Sequence, residues 1–306
     1  MNRSLTKAHY VREIADDRTR GAAQLARRCL EMLAEYARDC PAGSAAELRE
    51  ETVDLASRLR RSRPAMAPLR NLIDRWTADQ RPATTDLLDV ARIEAATAAQ
   101  ALSDQSVRAV REIAQHARRL IGRDQVVFTH SFSSTVSEAL TGLGDCGVRV
   151  ILTESRPLCE GHRLATQLST EGIPCTTITE AQIGAFIGQA DVALVGADTI
   201  LVDGSVVNKS GTLLLALAAR RFGVPFHVCC ESFKINGERE QPDVLEEKSP
   251  LELDAPDLPG VTVRNVYFDV TPPDLVSGWI TESGVCEEFR LFQFAIRGPL
   301  EGASCG

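Results

Sequence analysis

The spacing of apolar residues changes near residue 125. Before this point apolar side chains recur at three- and four-residue steps, as in Leu30 and Leu33, and this period is typical of amphipathic helices. Turn-forming segments at residues 41–44 and 82–85 interrupt the pattern, which contains no strand-like run. We therefore predict that residues 1–122 form a helical domain of three or four helices.

Short apolar runs alternate with helical stretches in the rest of the chain. The runs, which we predict to be strands, are residues 126–128, 148–152, 175–178, 192–195, 225–229 and 266–270. The segments predicted as crossover helices are 133–143, 163–171, 181–187 and 211–222. Strands that are apolar on both faces and joined by helices indicate a parallel sheet. We predict an α/β protein in which residues 123–306 form a domain around that sheet.

Composition and charge narrow the classes of function. The 306 residues are 44% hydrophobic and 25% charged, which is ordinary for a globular protein. A net charge of -8 argues against binding to bulk nucleic acid or an acidic membrane. The sequence shows neither an apolar run of membrane-spanning length nor an apolar leader after Met1. We expect a cytoplasmic protein.

Cofactor and metal motifs are not apparent in the sequence. Nine cysteines include no C-x-x-C pair, and the five histidines are scattered, so reduced thiols are favoured over a disulfide framework or a zinc site. The glycine pattern of a dinucleotide site does not follow the first predicted strand, and no GK[ST] sequence occurs. We predict neither a cofactor nor a metal.

Polar residues follow the predicted strands, where ligands bind in parallel sheets. They combine hydroxyl groups, a carboxylate and cations: Ser131, Ser133, Arg156, Asp198, Asn208, Lys209 and Lys234. Hydroxyl-rich helix starts beside cations suit an anionic, phosphate-bearing ligand. Taken singly, Ser133 could also be a helix cap and Asp198 a turn residue. The residues alone indicate an anion-binding edge.

These segments also carry a resemblance to a known superfamily. The main block is residues 196–212, with Gly-Ala-Asp-Thr-Ile at its start and Asn-Lys-Ser-Gly-Thr at its end. Five further blocks agree in order: residues 17–22, 62–64, 154–161, 231–234 and 268–273. The chain resembles the superfamily of the alpha, beta and delta regulatory subunits of translation initiation factor 2B, ribose-1,5-bisphosphate isomerase and methylthioribose-1-phosphate isomerase.

The resemblance implies an N-terminal helical domain, a C-terminal Rossmann-like domain and, for the isomerases, conversion of a 1-phosphorylated aldose into a 2-ketose. It makes Asp198 the catalytic acid/base. The positions that it implies for phosphate and sugar binding are Arg20, Gly21, Ala22, Arg63, Ser133, Arg156, Asn208, Lys209 and Lys234. Separated cations suit a doubly phosphorylated sugar better than one with an apolar thioether.

The first predicted strand-end loop departs from the isomerase pattern. The isomerases carry a cysteine as second acid/base residue where this chain has Ser131, and a serine hydroxyl is much less acidic than a thiol. Two hypotheses from different classes stay open at this point, beside a third possibility, a member of this fold that acts on another phosphorylated pentose. One is a ribose-1,5-bisphosphate isomerase that uses Asp198 with Ser131. The other is a non-catalytic regulatory subunit of the initiation-factor type that binds a sugar phosphate or a nucleotide monophosphate.

The resemblance also bears on assembly. Family members dimerise through the Rossmann-like domain and some form hexamers, so it implies a homodimer or homohexamer. Apolar residues near the C-terminus would suit a partner surface within or between chains: Phe289, Leu291, Phe292, Phe294 and Ile296.

Overall fold

The chain forms two compact units in the computed structural model, which describes residues 6–64, 66–79, 87–236 and 247–289. Within these residues, the first unit comprises the chain up to Arg108 together with 233–236, and the second comprises the rest. The division falls inside a long helix, whereas the domain boundary predicted at residue 122 follows that helix. Of the C-terminal apolar residues named above, only Phe289 lies among the described residues.

Helices build the first unit. They are α1 (Lys7–Asp16), α2 (Ala22–Asp39), α3 (Ala45–Ser62), α4 (Ala67–Asp79) and the first part of α5 (Leu88–Leu120). The three-to-four-residue spacing puts Leu30 and Leu33 on the buried face of α2. Trp76 is fully buried, and its indole N–H donates to the Ala95 carbonyl at 3.0 Å. The prediction of three or four helices was too low, and residues 82–85 lie outside the described part.

Two sheets and a short strand pair build the second unit. The strands are β1 (Val126–Thr129), β2 (Arg149–Thr153), β3 (Cys175–Ile178), β4 (Val192–Val195), β5 (Thr199–Ile200), β6 (Val206–Lys209), β7 (Phe226–Cys229), β8 (Glu247–Lys248), β9 (Asn265–Val266), β10 (Phe268–Thr271), β11 (Gly278–Thr281) and β12 (Gly284–Cys286). The helices are the last part of α5, α6 (Ser134–Thr141), α7 (Glu160–Thr170), α8 (Ile183–Phe186) and α9 (Thr212–Phe222).

The larger sheet has the strand order β12-β11-β7-β4-β1-β2-β3 and is parallel except for the terminal β11–β12 pair. Strands β1 and β4 are buried along their whole length, as expected for strands covered by helices on both faces. The chain runs outward from β1 through β2 and β3, then returns to β4 on the other side of β1. The order therefore reverses between β1 and β4, and a crevice forms at the carboxyl ends of strands at such a point.

The last predicted strand does not belong to the parallel sheet. Residues 266–270 divide between β9 and β10, and β10 runs antiparallel to β6 in a separate sheet of order β10-β6-β5. A parallel edge strand needs a crossover connection, and no α-helix follows β7 within the described residues 230–236 and 247–264. Strand β11, which the sequence analysis missed, takes the place beside β7.

None of the helices among the described residues is long and apolar enough to cross a lipid bilayer.

The turn into α7 requires glycine at one position. A Cβ on Gly161 would lie 1.9 Å from the Thr153 carbonyl oxygen, and the Gly161 N–H donates to the Glu154 carbonyl at 3.0 Å. The close neighbours are backbone carbonyl groups, so no side chain could move to make room for the Cβ. We therefore expect Gly161→Ala to lower the free energy of unfolding by about 3 kcal/mol, measured by urea denaturation.

Gly184, in α8, is the matched control because a Cβ there would meet no atom within 4 Å. Gly184→Ala should leave stability unchanged or raise it by up to about 1 kcal/mol. Equal stability of the two variants would contradict the described approach of α7 to β2.

Candidate functional site

The crevice between β1 and β4 brings two predicted catalytic residues to neighbouring strand ends. Ser131 comes two residues after β1, and Asp198 three residues after β4. The loops that carry them pack closely, because a Cβ on Gly196 would lie 2.4 Å from the Ser133 hydroxyl oxygen. Ser133 also caps α6 by accepting a hydrogen bond from the Val136 N–H at 3.4 Å. Glycine at position 196 thus allows the two strand-end loops to approach each other.

Asp198 stands at the open end of the β5–β6 hairpin. Its backbone N–H donates to the Val207 carbonyl at 2.9 Å, and the residue is partly exposed. On the next strand Asn208 is buried, and its side-chain amide donates to the Thr212 hydroxyl at 3.0 Å. A partly exposed carboxylate is thereby fixed on a sheet beside a buried amide, which is an arrangement suited to proton exchange with a bound polar ligand.

Lys209 is buried and forms an ion pair with the partly exposed Glu160. Its ammonium nitrogen lies 3.0 Å from Oε1 of Glu160, and its side chain is 7% exposed. The same nitrogen lies 4.1 Å from the centroid of the Tyr267 ring, a cation–π distance. Oε2 of Glu160 is buried and has no hydrogen-bond partner among the described residues. The positive charge of Lys209 is therefore balanced by Glu160 before any ligand binds.

His130 connects three loops at the carboxyl edge of the sheet. Its Nε2 lies 2.9 Å from the Ser210 carbonyl, and its Nδ1 lies 2.6 Å from the Thr153 hydroxyl. Since a carbonyl can only accept, we assign the proton to Nε2, and Nδ1 accepts from Thr153. Burial of the ring lowers the pKa of His130 to about 4. The imidazole is therefore neutral at pH 7 and acts as a structural bridge.

Asp269 fixes the start of α9. Its carboxylate accepts hydrogen bonds from the Gly211 N–H at 2.7 Å and the Leu213 N–H at 3.2 Å. Burial raises the pKa of Asp269 to about 6 although these N–H groups favour its charged form. Gly211 has a φ of +110°, and a Cβ there would lie 2.7 Å from the His130 ring. The loop that carries Asn208 and Lys209 is thus fixed by His130 and Asp269 together.

The remaining predicted residues of the second unit have separate environments. Ser131 is buried, has a φ of +63° and makes no side-chain hydrogen bond within the described residues. Its hydroxyl therefore has no base bonded to it. Arg156 is exposed and donates to the Leu253 carbonyl at 3.0 Å.

Four predicted residues of the first unit gather around the loop between α1 and α2. Arg20 is exposed and pairs with Asp17 at 2.8 Å. Gly21 and Ala22 begin α2. The Arg63 side chain is buried and donates to the carbonyls of Ala15 and Asp17 at 3.3 Å. These contacts bring the two arginines to one loop.

Lys234 also belongs to the first unit. It is buried, and the Asn71 side chain donates to the carbonyls on either side of it, those of Phe233 and Ile235, at 2.7 Å each. Asn71 therefore fixes the backbone that presents Lys234.

Comparison with known proteins agrees with the strand order and the motif blocks. The model of the Initiation factor 2 subunit family matches residues 18–288. The chain belongs to this family.

Two relatives by sequence and one crystal structure illustrate what this chain is similar to. A Pyrococcus horikoshii protein whose name likens it to subunit 2 of eIF-2B is 37% identical, over 90% of this chain and 94% of its own. Ribose 1,5-bisphosphate isomerase of Archaeoglobus fulgidus is 32% identical, over 93% and 90%. The crystal structure of the P. horikoshii OT3 translation initiation factor eIF-2B has a TM-score of 0.81 at 35% identity and covers 93% and 98%.

The sequence analysis missed the polar groups that support the site. Glu160 begins α7 and its role emerges only through its contact with Lys209. Asp269 lies in a block that the resemblance had singled out, yet its capping of α9 depends on the antiparallel pairing of β10 with β6. No group of three or more His, Cys, Asp or Glu suited to a metal ion occurs within the described part of the chain.

The burial of neutral His130 predicts a pH dependence of stability. The folded pKa of about 4 lies below the ordinary value of 6.5, so between these values the unfolded chain binds more protons and stability falls as the pH falls. From pH 7 to pH 5 we expect His130 to contribute a loss of about 2 kcal/mol. His130→Gln should lose that part of the slope in urea denaturation at the two pH values.

The raised pKa of Asp269 acts in the opposite direction in both proteins and therefore cancels in the difference between them. His162→Gln, which changes an exposed imidazole on α7, is the control and should keep the wild-type slope. A second measurement is NMR of the His130 ring, where protonation already complete at pH 5 would contradict the buried bridge.

Proposed function

We propose that this protein is an aldose–ketose isomerase that converts ribose 1,5-bisphosphate into ribulose 1,5-bisphosphate. The observation that carries the proposal is the position of Asp198 at the sheet's switch point. Asp198 follows β4, the neighbour of the strand β1 that leads to Ser131, and its backbone N–H donates to Val207, the residue before Asn208 on β6. The similarity to ribose 1,5-bisphosphate isomerase over 93% of the chain supports the same reaction class.

The reaction needs groups that give and take protons, and in this proposal Asp198 is the principal one with Ser131 as a weaker partner. The furanose ring opens when the bond from C1 to the ring oxygen breaks and that oxygen gains a proton. Hydrogen then moves from C2 to C1, and the 2-hydroxyl loses its proton as C2 becomes a carbonyl. In this proposal Asp198 gives the first proton and takes the last, so it returns to its starting state. Asn208, oriented by Thr212, supplies a fixed amide beside it.

Substrate binding in this proposal draws on the remaining residues named from the family resemblance. Arg20 precedes Gly21 and Ala22 in the loop before α2, Arg63 follows α3 and donates to that loop, and Lys234 belongs to the same unit. Ser133, Arg156 and Lys209 belong to the second unit. Arginine suits the phosphate groups because its planar guanidinium donates two parallel hydrogen bonds. The reaction as written needs neither a metal nor a redox cofactor.

Ser131 favours a second candidate function, that of a non-catalytic regulatory subunit. Its hydroxyl makes no hydrogen bond to a base within the described residues, so nothing compensates for the lower acidity of serine. The relative whose name likens it to subunit 2 of eIF-2B supports this alternative. Such a subunit would bind a sugar phosphate or a nucleotide monophosphate in the same crevice without turnover.

In either function we propose a cytoplasmic homo-oligomer, either a dimer or a hexamer. The proposal rests on the family resemblance, and light scattering after size-exclusion chromatography gives the mass that distinguishes a monomer from both assemblies.

Replacement of the proposed acid/base tests the enzymatic function. Wild-type protein incubated with ribose 1,5-bisphosphate should convert its ³¹P resonances into those of ribulose 1,5-bisphosphate. Asp198→Asn should lower the rate by roughly 10²- to 10⁴-fold, the contribution of one positioned acid/base group. The amide has nearly the same shape but cannot exchange the proton, so binding should persist.

The control is Asp203→Asn at the closed end of the same hairpin, where the exposed Asp203 carboxylate accepts from the Ser205 N–H at 2.9 Å. This variant should keep the wild-type rate. Saturable binding without conversion by the wild-type protein would reject the isomerase and favour the regulatory subunit.

The hydroxyl at position 131 generates a separate prediction. Ser131→Cys restores a more acidic group at nearly the same size, so we expect the isomerase rate to be kept or raised. The rate is followed by ³¹P NMR with the same substrate. Ser131→Ala serves as the control that removes the acidic hydrogen. A sharp loss of activity in Ser131→Cys with retention in Ser131→Ala would contradict the assignment of position 131 as the second acid/base.

A further inference from the structure

In the ion pair between Glu160 and Lys209, one carboxylate oxygen of Glu160 accepts no hydrogen bond from the described residues. Oε1 of Glu160 lies 3.0 Å from the Lys209 nitrogen, whereas Oε2 is buried and has no hydrogen-bond partner among the described residues. A buried carboxylate oxygen without a donor is costly in free energy. A bound ligand that supplies a donor would remove this cost.

A second buried group without a partner lies in the same loop. The Ser155 hydroxyl is fully buried and makes no side-chain hydrogen bond within the described residues. Ser155 has a φ of +68°, and its carbonyl accepts from the Cys159 N–H at 2.9 Å, just before Glu160. The loop between β2 and α7 and the first residue of α7 thus carry two buried oxygen atoms, Ser155 Oγ and Glu160 Oε2, that have no hydrogen-bond partner among the described residues.

Lys209 is poorly suited to hold a phosphate in this arrangement. Its ammonium has three N–H donors, of which one points to Glu160 while the Tyr267 ring covers another side at 4.1 Å. A phosphate dianion at the remaining donor would approach the Glu160 carboxylate, and like charges at such a short distance repel. A neutral hydroxyl avoids this repulsion. It can accept from Lys209 and donate to Glu160.

We infer that Glu160 is a specificity-determining residue that makes the Lys209 subsite bind a hydroxyl group of the pentose rather than a phosphate. This inference rests on the proposed function for the identity of the ligand as a pentose phosphate. It assigns the phosphate groups to other cations of the protein. It also gives the Glu160 oxygen the donor that it otherwise lacks.

The first arm of the test measures phosphate binding by isothermal titration calorimetry with inorganic phosphate. Glu160→Gln leaves the shape of the subsite but frees the Lys209 charge, so phosphate should bind at least tenfold more tightly than to the wild-type protein. Adding Lys209→Met to this variant should abolish the gain. Glu171→Gln is the matched control, because it removes an exposed carboxylate just after the other end of α7 and should leave phosphate binding unchanged.

The second arm measures hydroxyl recognition with ribose 1-phosphate and its 2-, 3- and 5-deoxy analogues. Removal of one hydroxyl should weaken binding to the wild-type protein at least tenfold, which is the effect of a hydrogen bond to a charged acceptor. In Glu160→Gln this discrimination should fall by threefold or more. Equal binding of all four compounds by the wild-type protein, or no binding, overturns the inference.

Unchanged phosphate affinity in Glu160→Gln likewise overturns the inference, whether or not the protein is an isomerase. Neither arm requires turnover. A wild-type protein that shows both binding effects but does not convert ribose 1,5-bisphosphate would keep the subsite assignment and reject only the proposed isomerase function.

Discussion

A buried neutral imidazole determines where the polar residues of the second unit lie. His130 joins the end of β2, through Thr153, to the loop between β6 and α9, through Ser210. The neutral ring bridges these groups by donating from Nε2 to the Ser210 carbonyl and accepting at Nδ1 from the Thr153 hydroxyl. Burial disfavours the charged imidazolium and so lowers the pKa of His130 to about 4. The position of Lys209, one residue before Ser210, therefore depends on a ring kept neutral by burial.

Part of the fold could be predicted from the sequence, and part depends on strand pairings that the sequence does not show. Strand β4 was predicted with its observed bounds because a central parallel strand is apolar on both faces and contrasts with the helices around it. Strand β10 looks similar in composition but belongs to the antiparallel sheet. Composition does not encode which neighbour a strand pairs with, so its sheet was assigned wrongly. The β5–β6 hairpin was missed because its strands are only two and four residues long.

Some residues of the candidate site could likewise be predicted from the sequence, and others could not. The rule that ligands bind at the carboxyl ends of strands selected Asp198, Asn208 and Ser131 from the sequence alone. Ser131 and Asp198 follow β1 and β4, whereas Asn208 lies within β6 of the antiparallel sheet. Glu160 escaped notice because an acidic residue in the first turn of a helix is ordinary by itself. Its meaning comes from a partner 49 residues away, and a single sequence carries no sign of such a pairing.

Asp269 and Asp198 are two carboxylates at this edge whose surroundings give them different roles. The two oxygens of Asp269 accept backbone N–H groups, so its carboxylate serves to hold α9 and the preceding loop. Asp198 is partly exposed, and its backbone N–H donates to the Val207 carbonyl on β6. This bond fixes the backbone of Asp198 beside Asn208. A site that exchanges protons needs both roles, since the residue that reacts must be held in position by a rigid support.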